Sequence, residues 1–138
     1  LHVRSRRQRQ MCIRDRMLTS DDYGIPEARE RARTILTNEE INAIARKGES
    51  FRPVSGAAGE FAADTFVRKD EDATIAAVFN YSLSDERLVE IPLEKLGLTP
   101  GHPYKIKDLW TKKVTEPQSN TLRLTLLPAQ STILKIYQ

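Results

Sequence analysis

The sequence predicts a mainly β chain: an antiparallel β-sandwich preceded by two helices. Three observations carry that expectation. From residue 49 onward, Gly and Pro punctuate the chain and the apolar period falls from 3.6 towards 2. In the run TLRLTLL, Leu122, Leu124 and Leu126 share one face, while Arg123 and Thr125 take the other. Leu134 and Ile136 repeat the pattern with Lys135 opposed. Such alternation marks antiparallel sheets with one wet face. Short strands separated by turn signals mark a sandwich.

Each element has a local reason. Residues 17–25 (MLTSDDYGI) begin apolar and end in a Gly-containing turn, which predicts a short strand and a loop. Pro26 suits the first turn of a helix, where its missing N–H is not needed. The stretch from Glu27 to Arg33 is rich in helix formers, and the run extends through Thr34, Ile35 and Leu36. Thr37, Asn38, Glu39 and Glu40 read as a capping box, with a hydroxyl at the cap and a carboxylate three residues on. It predicts a second helix over 38–47, with Ile41, Ile44 and Ala45 as a buried stripe. Arg46 and Lys47 suit the negative end of its dipole, and Gly48 suits its terminus. Strands are expected at 64–68, 74–82, 88–93, 104–110, 121–127 and 132–137, with a further short one near 51–54. Leu93 to Leu96, followed by Gly97, reads as one helical turn capped by glycine.

Composition narrows the function classes. With 138 residues, 39% hydrophobic and 30% charged, the chain fits one ordinary domain, or a small domain plus a fragment. No apolar run approaches the ~18–20 residues of a membrane-spanning helix. The single cysteine, Cys12, excludes an intrachain disulfide and a Cys-based zinc site. The two histidines, His2 and His102, leave no basis for a His-based metal site, and no cofactor is expected. The net charge of +3 is unevenly spread. Residues 1–16 hold six arginines and one aspartate, a net +5, so residues 17–138 carry −2. An arginine-rich head is one route to nucleic-acid binding, which predicts affinity that weakens steeply with salt. The body, without a basic aromatic platform, does not extend that footprint. The string RRQRQMCIRDR resembles translated adaptor sequence, which implies that native sequence begins near Met17.

Three blocks in order resemble the end of a clan D glycoside hydrolase, the α-galactosidase (melibiase) group of families 27 and 36. MLTSDDYGIPEARERARTILTNEEINAIAR is similar to the last strand, loop and closing helices of that group's (β/α)8 barrel. TIAAVFNYS is similar to a strand of its accessory sandwich. YKIKDLWTKK, followed by leucine-rich strands, is similar to a strand and hairpin of the same sandwich. The chain departs from the pattern where many members place a histidine before the last strand; Ala129, Gln130 and Ser131 stand there. It also has Arg46, Lys47 and Gly48 where many place an aspartate. The resemblance implies three regions: a head at 1–16, a remnant of the catalytic barrel at 17–48, and a C-terminal sandwich at 49–138. It implies a galactoside-type substrate bound by a barrel upstream, a bacterial parent that is secreted or periplasmic, and no nucleic-acid or membrane partner. The two catalytic aspartates follow barrel strands four and six in that group. No residue here is carried over as catalytic.

Asp21 and Asp22 are the candidate substrate-binding residues, because active sites of such barrels lie at the C-terminal ends of strands. The alternative is an Asx-turn or a cap for the helix at Pro26. Trp110 is expected in the core, Asp108 as a turn acceptor, His102 exposed, and Lys112 and Lys113 at a hairpin tip. A non-catalytic carbohydrate-binding module is the competing reading. It requires Trp110, Tyr81 and Tyr104 as exposed, coplanar aromatics. On the hydrolase reading, the apolar face formed by Ile35, Leu36, Ile41 and Ile44 is left with little to cover it.

Overall fold

The computed structural model describes residues 22, 24–55, 63–117 and 119–138. The head, the strand expected at 17–19 and Asp21 lie outside the described residues. The chain divides into two compact units, Leu1–Glu49 and Ser50–Gln138.

The described part of the first unit is two helices, α1 (Pro26–Leu36) and α2 (Glu39–Lys47). Pro26 opens α1 without a side-chain cap, and Glu27 sits in its first turn. Thr37 ends α1: its hydroxyl donates to the Arg33 carbonyl at 2.6 Å, and its N–H turns to the same carbonyl. With that hydroxyl engaged, the expected cap moves by one residue. Asn38 caps α2, its side-chain oxygen accepting from Ile41 N at 3.3 Å. Asn42 Nδ2 donates to the Leu36 carbonyl at 2.7 Å and ties the two helices. Gly48, at φ 64°, ends α2 in the left-handed conformation. The stripe expected to be buried is not: Ile41 and Ile44 are half-buried and Ala45 is exposed. Ile35 is likewise exposed.

The second unit is the sandwich. Its strands are β1 (Arg52–Ser55), β2 (Thr65–Lys69), β3 (Thr74–Phe79), β4 (Arg87–Pro92), β5 (Lys105–Asp108), β6 (Val114–Thr115), β7 (Thr121–Leu126) and β8 (Ser131–Tyr137). One antiparallel sheet has the order β1-β2-β3-β8-β5-β6, and the other pairs β4 with β7. A 3-10 turn, Leu93–Leu96, follows β4 and ends at Gly97 with φ 77°, as its sequence predicts. The expected strands at 74–82 and 104–110 are shorter in the structure, because side-chain-capped turns take over at Asn80 and Asp108. The two-residue β6 escaped the sequence pattern, being too short to show a period.

Alternation sets the core. Val67, Ala76, Val78, Ile106, Leu134 and Ile136 of the large sheet meet Val89, Ile91, Leu122 and Leu126 of the small one. The opposite face of the large sheet departs from the expected wet surface. There Ile75 is 2% exposed and Arg68 4%, so β3 is buried on both sides. Its run TIAAVF has no polar alternation to present to water.

Candidate functional site

The described residues place the sequence candidates as follows. Asp22 is exposed; its Oδ1 accepts from Gly24 N at 2.9 Å, and its carbonyl accepts from Ile25 N at 3.1 Å. This is an Asx-turn leading into α1. Asp21 lies outside the described residues, so the pair is not seen together.

Asp108 is a turn acceptor, as expected. Its Oδ1 receives Trp110 N at 2.8 Å and Thr111 N at 3.0 Å, while its Oδ2 receives the Thr132 hydroxyl at 3.0 Å. Its N–H donates to the Lys113 carbonyl at 2.9 Å, closing the hairpin whose exposed tip carries Lys112 and Lys113. That turn ends β5 and corrects the expectation for Trp110. Leu109 fills the core at 0% exposure, and Trp110 is 37% exposed.

The three aromatics of the carbohydrate-module reading do not share one surface role. Tyr104 is buried, and its hydroxyl accepts from Thr99 N at 3.0 Å. Tyr81 is exposed, but one ring face lies parallel to Phe79 at 5.8 Å. Its hydroxyl donates to the Ala63 carbonyl at 3.0 Å. Phe66 meets Phe79 edge-on at 5.8 Å. His102 is exposed beside Tyr104.

Two polar residues were not legible as buried. Asn80 follows β3 and is 4% exposed. Its Nδ2 faces the carbonyls of Asp85, Leu126 and Leu127 at 2.8, 3.2 and 3.0 Å, and its Oδ1 accepts from Ser82 N at 3.0 Å. It therefore ties the turn after β3 to the end of β7. Arg68 of β2 is clamped by both oxygens of Asp70 at 2.8 and 3.1 Å. Its guanidinium lies over the Phe51 ring, 5.1 Å from the centroid.

The Asn80 turn continues into an exposed polar loop. Ser84 and Ser82 hydroxyls hydrogen-bond to Asp85 Oδ2 at 2.7 and 3.0 Å and hold its carboxyl below the usual carboxylate range. A lowered folded value means that this stabilisation is present above the ordinary carboxylate pKa. It is lost as pH falls through the lowered value. The Asp85 side-chain carboxyl resonance is thus expected to titrate with a midpoint below that of a solvated aspartate. Ser84→Ala should raise that midpoint; an unshifted midpoint in both proteins would contradict the loop geometry.

A half-polar groove of about 370 Å3 runs beside β4. All six residues of β4 line it, with Val54 of β1, Thr65 of β2 and Lys95. Among the described residues no group of three or more His, Cys, Asp or Glu is placed to hold a metal ion, and no helix is long and apolar enough to cross a membrane.

This architecture has known counterparts. No curated protein sequence matches the chain. A Bacillus halodurans protein of proposed α-N-acetylgalactosaminidase activity superimposes with a TM-score of 0.64 at 20% identity, over 79% of this chain and 24% of its own. A GH27 β-L-arabinopyranosidase from Geobacillus stearothermophilus gives 0.61 at 29% identity, over 76% and 23%. Alpha-galactosidase I from Mortierella vinacea gives 0.60 at 15% identity, over 75% and 28%. The chain thus spans about a quarter of the length of these enzymes. Residues 61–136 match the family model of the alpha galactosidase C-terminal beta sandwich domain, and with that match covering more than half of its length, the chain belongs to this family of carbohydrate-active enzyme domains.

Proposed function

We propose that the chain supplies the C-terminal sandwich of an α-galactosidase-like glycoside hydrolase and that the catalytic barrel lies upstream in the same polypeptide. The family match of residues 61–136 carries this reading. The order of two helices and then a sandwich supports it. On this reading residues 17–48 close the barrel and residues 49–138 form the accessory domain. Asp21 and Asp22 then stand at the sugar-binding rim.

The barrel performs the chemistry. A retaining glycosidase needs two carboxylates ~5–5.5 Å apart, one as nucleophile and one as acid and then base. The sandwich contributes stability by packing beside the barrel. The substrate is a pyranoside of galacto configuration. The Geobacillus neighbour acts on a β-L-arabinopyranoside, whose ring matches an α-D-galactoside lacking its hydroxymethyl group.

The test compares two polypeptides on p-nitrophenyl α-D-galactopyranoside: this chain, and one extended through the upstream coding sequence. Hydrolysis is expected from the extended polypeptide alone. In that polypeptide Asp22→Asn is expected to raise KM more than it lowers kcat. Turnover by the 138-residue chain itself would overturn the reading.

A further inference from the structure

One triplet of the chain carries a chemistry that neither the family nor the proposed catalysis uses. Asn80, Tyr81 and Ser82 have the form Asn-x-Ser with x not proline, the acceptor pattern for N-linked glycosylation. Of the four asparagines, Asn38, Asn42, Asn80 and Asn120, only Asn80 stands in that pattern. The pattern ordinarily marks a surface loop, because a bulky, solubilising glycan has to project into water. Here both groups that define it are engaged. Asn80 is 4% exposed. Its Nδ2, the atom that would carry the sugar, lies 2.8, 3.2 and 3.0 Å from the carbonyls of Asp85, Leu126 and Leu127. The Ser82 hydroxyl accepts from Asp85 N at 3.0 Å and Ser84 N at 3.3 Å, and donates to Asp85 Oδ2 at 3.0 Å.

These contacts form at different times. Ser82, Ser84 and Asp85 lie within five residues of Asn80, whereas Leu126 and Leu127 follow 46 and 47 positions later. The strand leading into Asn80, β3, meets its β8 partner only when residues 131–137 are made. On a growing or unfolded chain the Asn80 amide is therefore in water. It leaves water when the end of β7 docks against it.

We propose that Asn80 is a glycosyl acceptor before the sandwich closes and ceases to be one afterwards, and that a glycan attached there prevents closure. The donor is an oligosaccharide carried on a lipid pyrophosphate. In the transfer, Asn80 Nδ2 bonds to the anomeric carbon of the sugar and gives up one proton. The bond from that carbon to the pyrophosphate oxygen breaks, and the lipid pyrophosphate leaves with the electron pair. The product amide keeps one hydrogen for three carbonyls and holds a sugar ring against the close-packed end of β7. Folding and modification thus exclude each other at one atom.

The experiment has two arms. In the first, the native 138-residue chain and a synthetic peptide of residues 74–88 are given to a eukaryotic single-subunit oligosaccharyltransferase with its lipid-linked oligosaccharide. The peptide carries the triplet without the sandwich and is expected to be modified. The native chain should react at least about tenfold more slowly, because transfer must await opening of the β7 end. In the second arm, full chains carrying one N-acetylglucosamine on Asn80 or on Asn120 are made by chemical ligation. Asn120 is exposed, and its side-chain oxygen, which accepts from Gly101 N at 3.1 Å, is retained in the modified amide. The sugar on Asn120 should leave Tm within about 2 °C, whereas the sugar on Asn80 should lower it by more than about 10 °C or abolish the cooperative transition. The proposal fails if the peptide is not an acceptor, if the native chain is modified as fast as the peptide, or if the two glycosylated chains melt alike. No outcome bears on the hydrolase reading, which stands or falls on galactoside turnover.

Discussion

Asn80→Ala is expected to destabilise the sandwich by about 3–4 kcal/mol. The amide stands 4% exposed and serves three carbonyls with two hydrogens, while its oxygen accepts from Ser82 N. Removing it leaves the Leu126 and Leu127 carbonyls without that donor at the point where β7 turns towards β8. Each unsatisfied buried group costs about 1–3 kcal/mol. For a unit of this size the loss should lower Tm by more than about 10 °C. Asn80→Asp is the sharper probe, because it preserves shape while turning the donor into an acceptor facing three oxygens. It should be at least as damaging at neutral pH. Thermal unfolding of the two variants beside the parent checks this; a shift of only a few degrees for both would show that the carbonyls are satisfied without Asn80.

The second large effect belongs to Arg68 and Asp70. Their side chains are 3% and 11% exposed, so the pair lies largely out of water. Asp70→Ala removes the bidentate partner of a buried guanidinium and is expected to cost about 3–5 kcal/mol. The double variant Arg68→Met, Asp70→Ala removes both charges and should recover much of that loss, since an apolar side chain suits a face shared with Ile75. Urea unfolding followed by the single tryptophan, Trp110, gives the midpoints. Equal destabilisation of the single and double variants would show that the aspartate acts through the turn at Asp70–Ala73 rather than through the ion pair.

These two residues mark the limit of what the sequence made legible. The sandwich strands showed themselves because Leu122, Leu124 and Leu126 alternate with polar neighbours, and the 3-10 turn because Gly97 follows its apolar ends. Asn80 was visible only as part of the FNYS motif. Its role depends on carbonyls 46 and 47 positions away, brought close by the pairing of β3 with β8 and of β4 with β7. Arg68 was legible only as the end of the strand expected at 64–68, since nothing local shows that the second face of β3 is covered. Adjacent Leu109 and Trp110 compete for one core position. The Asp108 turn decides for leucine, an outcome set by hydrogen bonds rather than by hydrophobicity. The α2 cap moved by one residue for the same kind of reason. Of the candidate site, the turn at Asp22 was legible as the alternative to a substrate-binding role, while the β4 groove was not, because its lining comes from strands far apart in the chain.

The position of β8 constrains how the domain is made. It is the last strand in chain order, yet it lies between β3 and β5 and joins the two halves of the large sheet. During synthesis, β1 to β3 can assemble early, but β3 keeps an open, apolar edge until residues 131–137 arrive. For that interval the TIAAVF segment is an unprotected template for pairing with other chains. Yield in the cell should therefore depend on how quickly the final strand is delivered, and substitutions that slow its docking should appear first as aggregation rather than as a lower melting temperature.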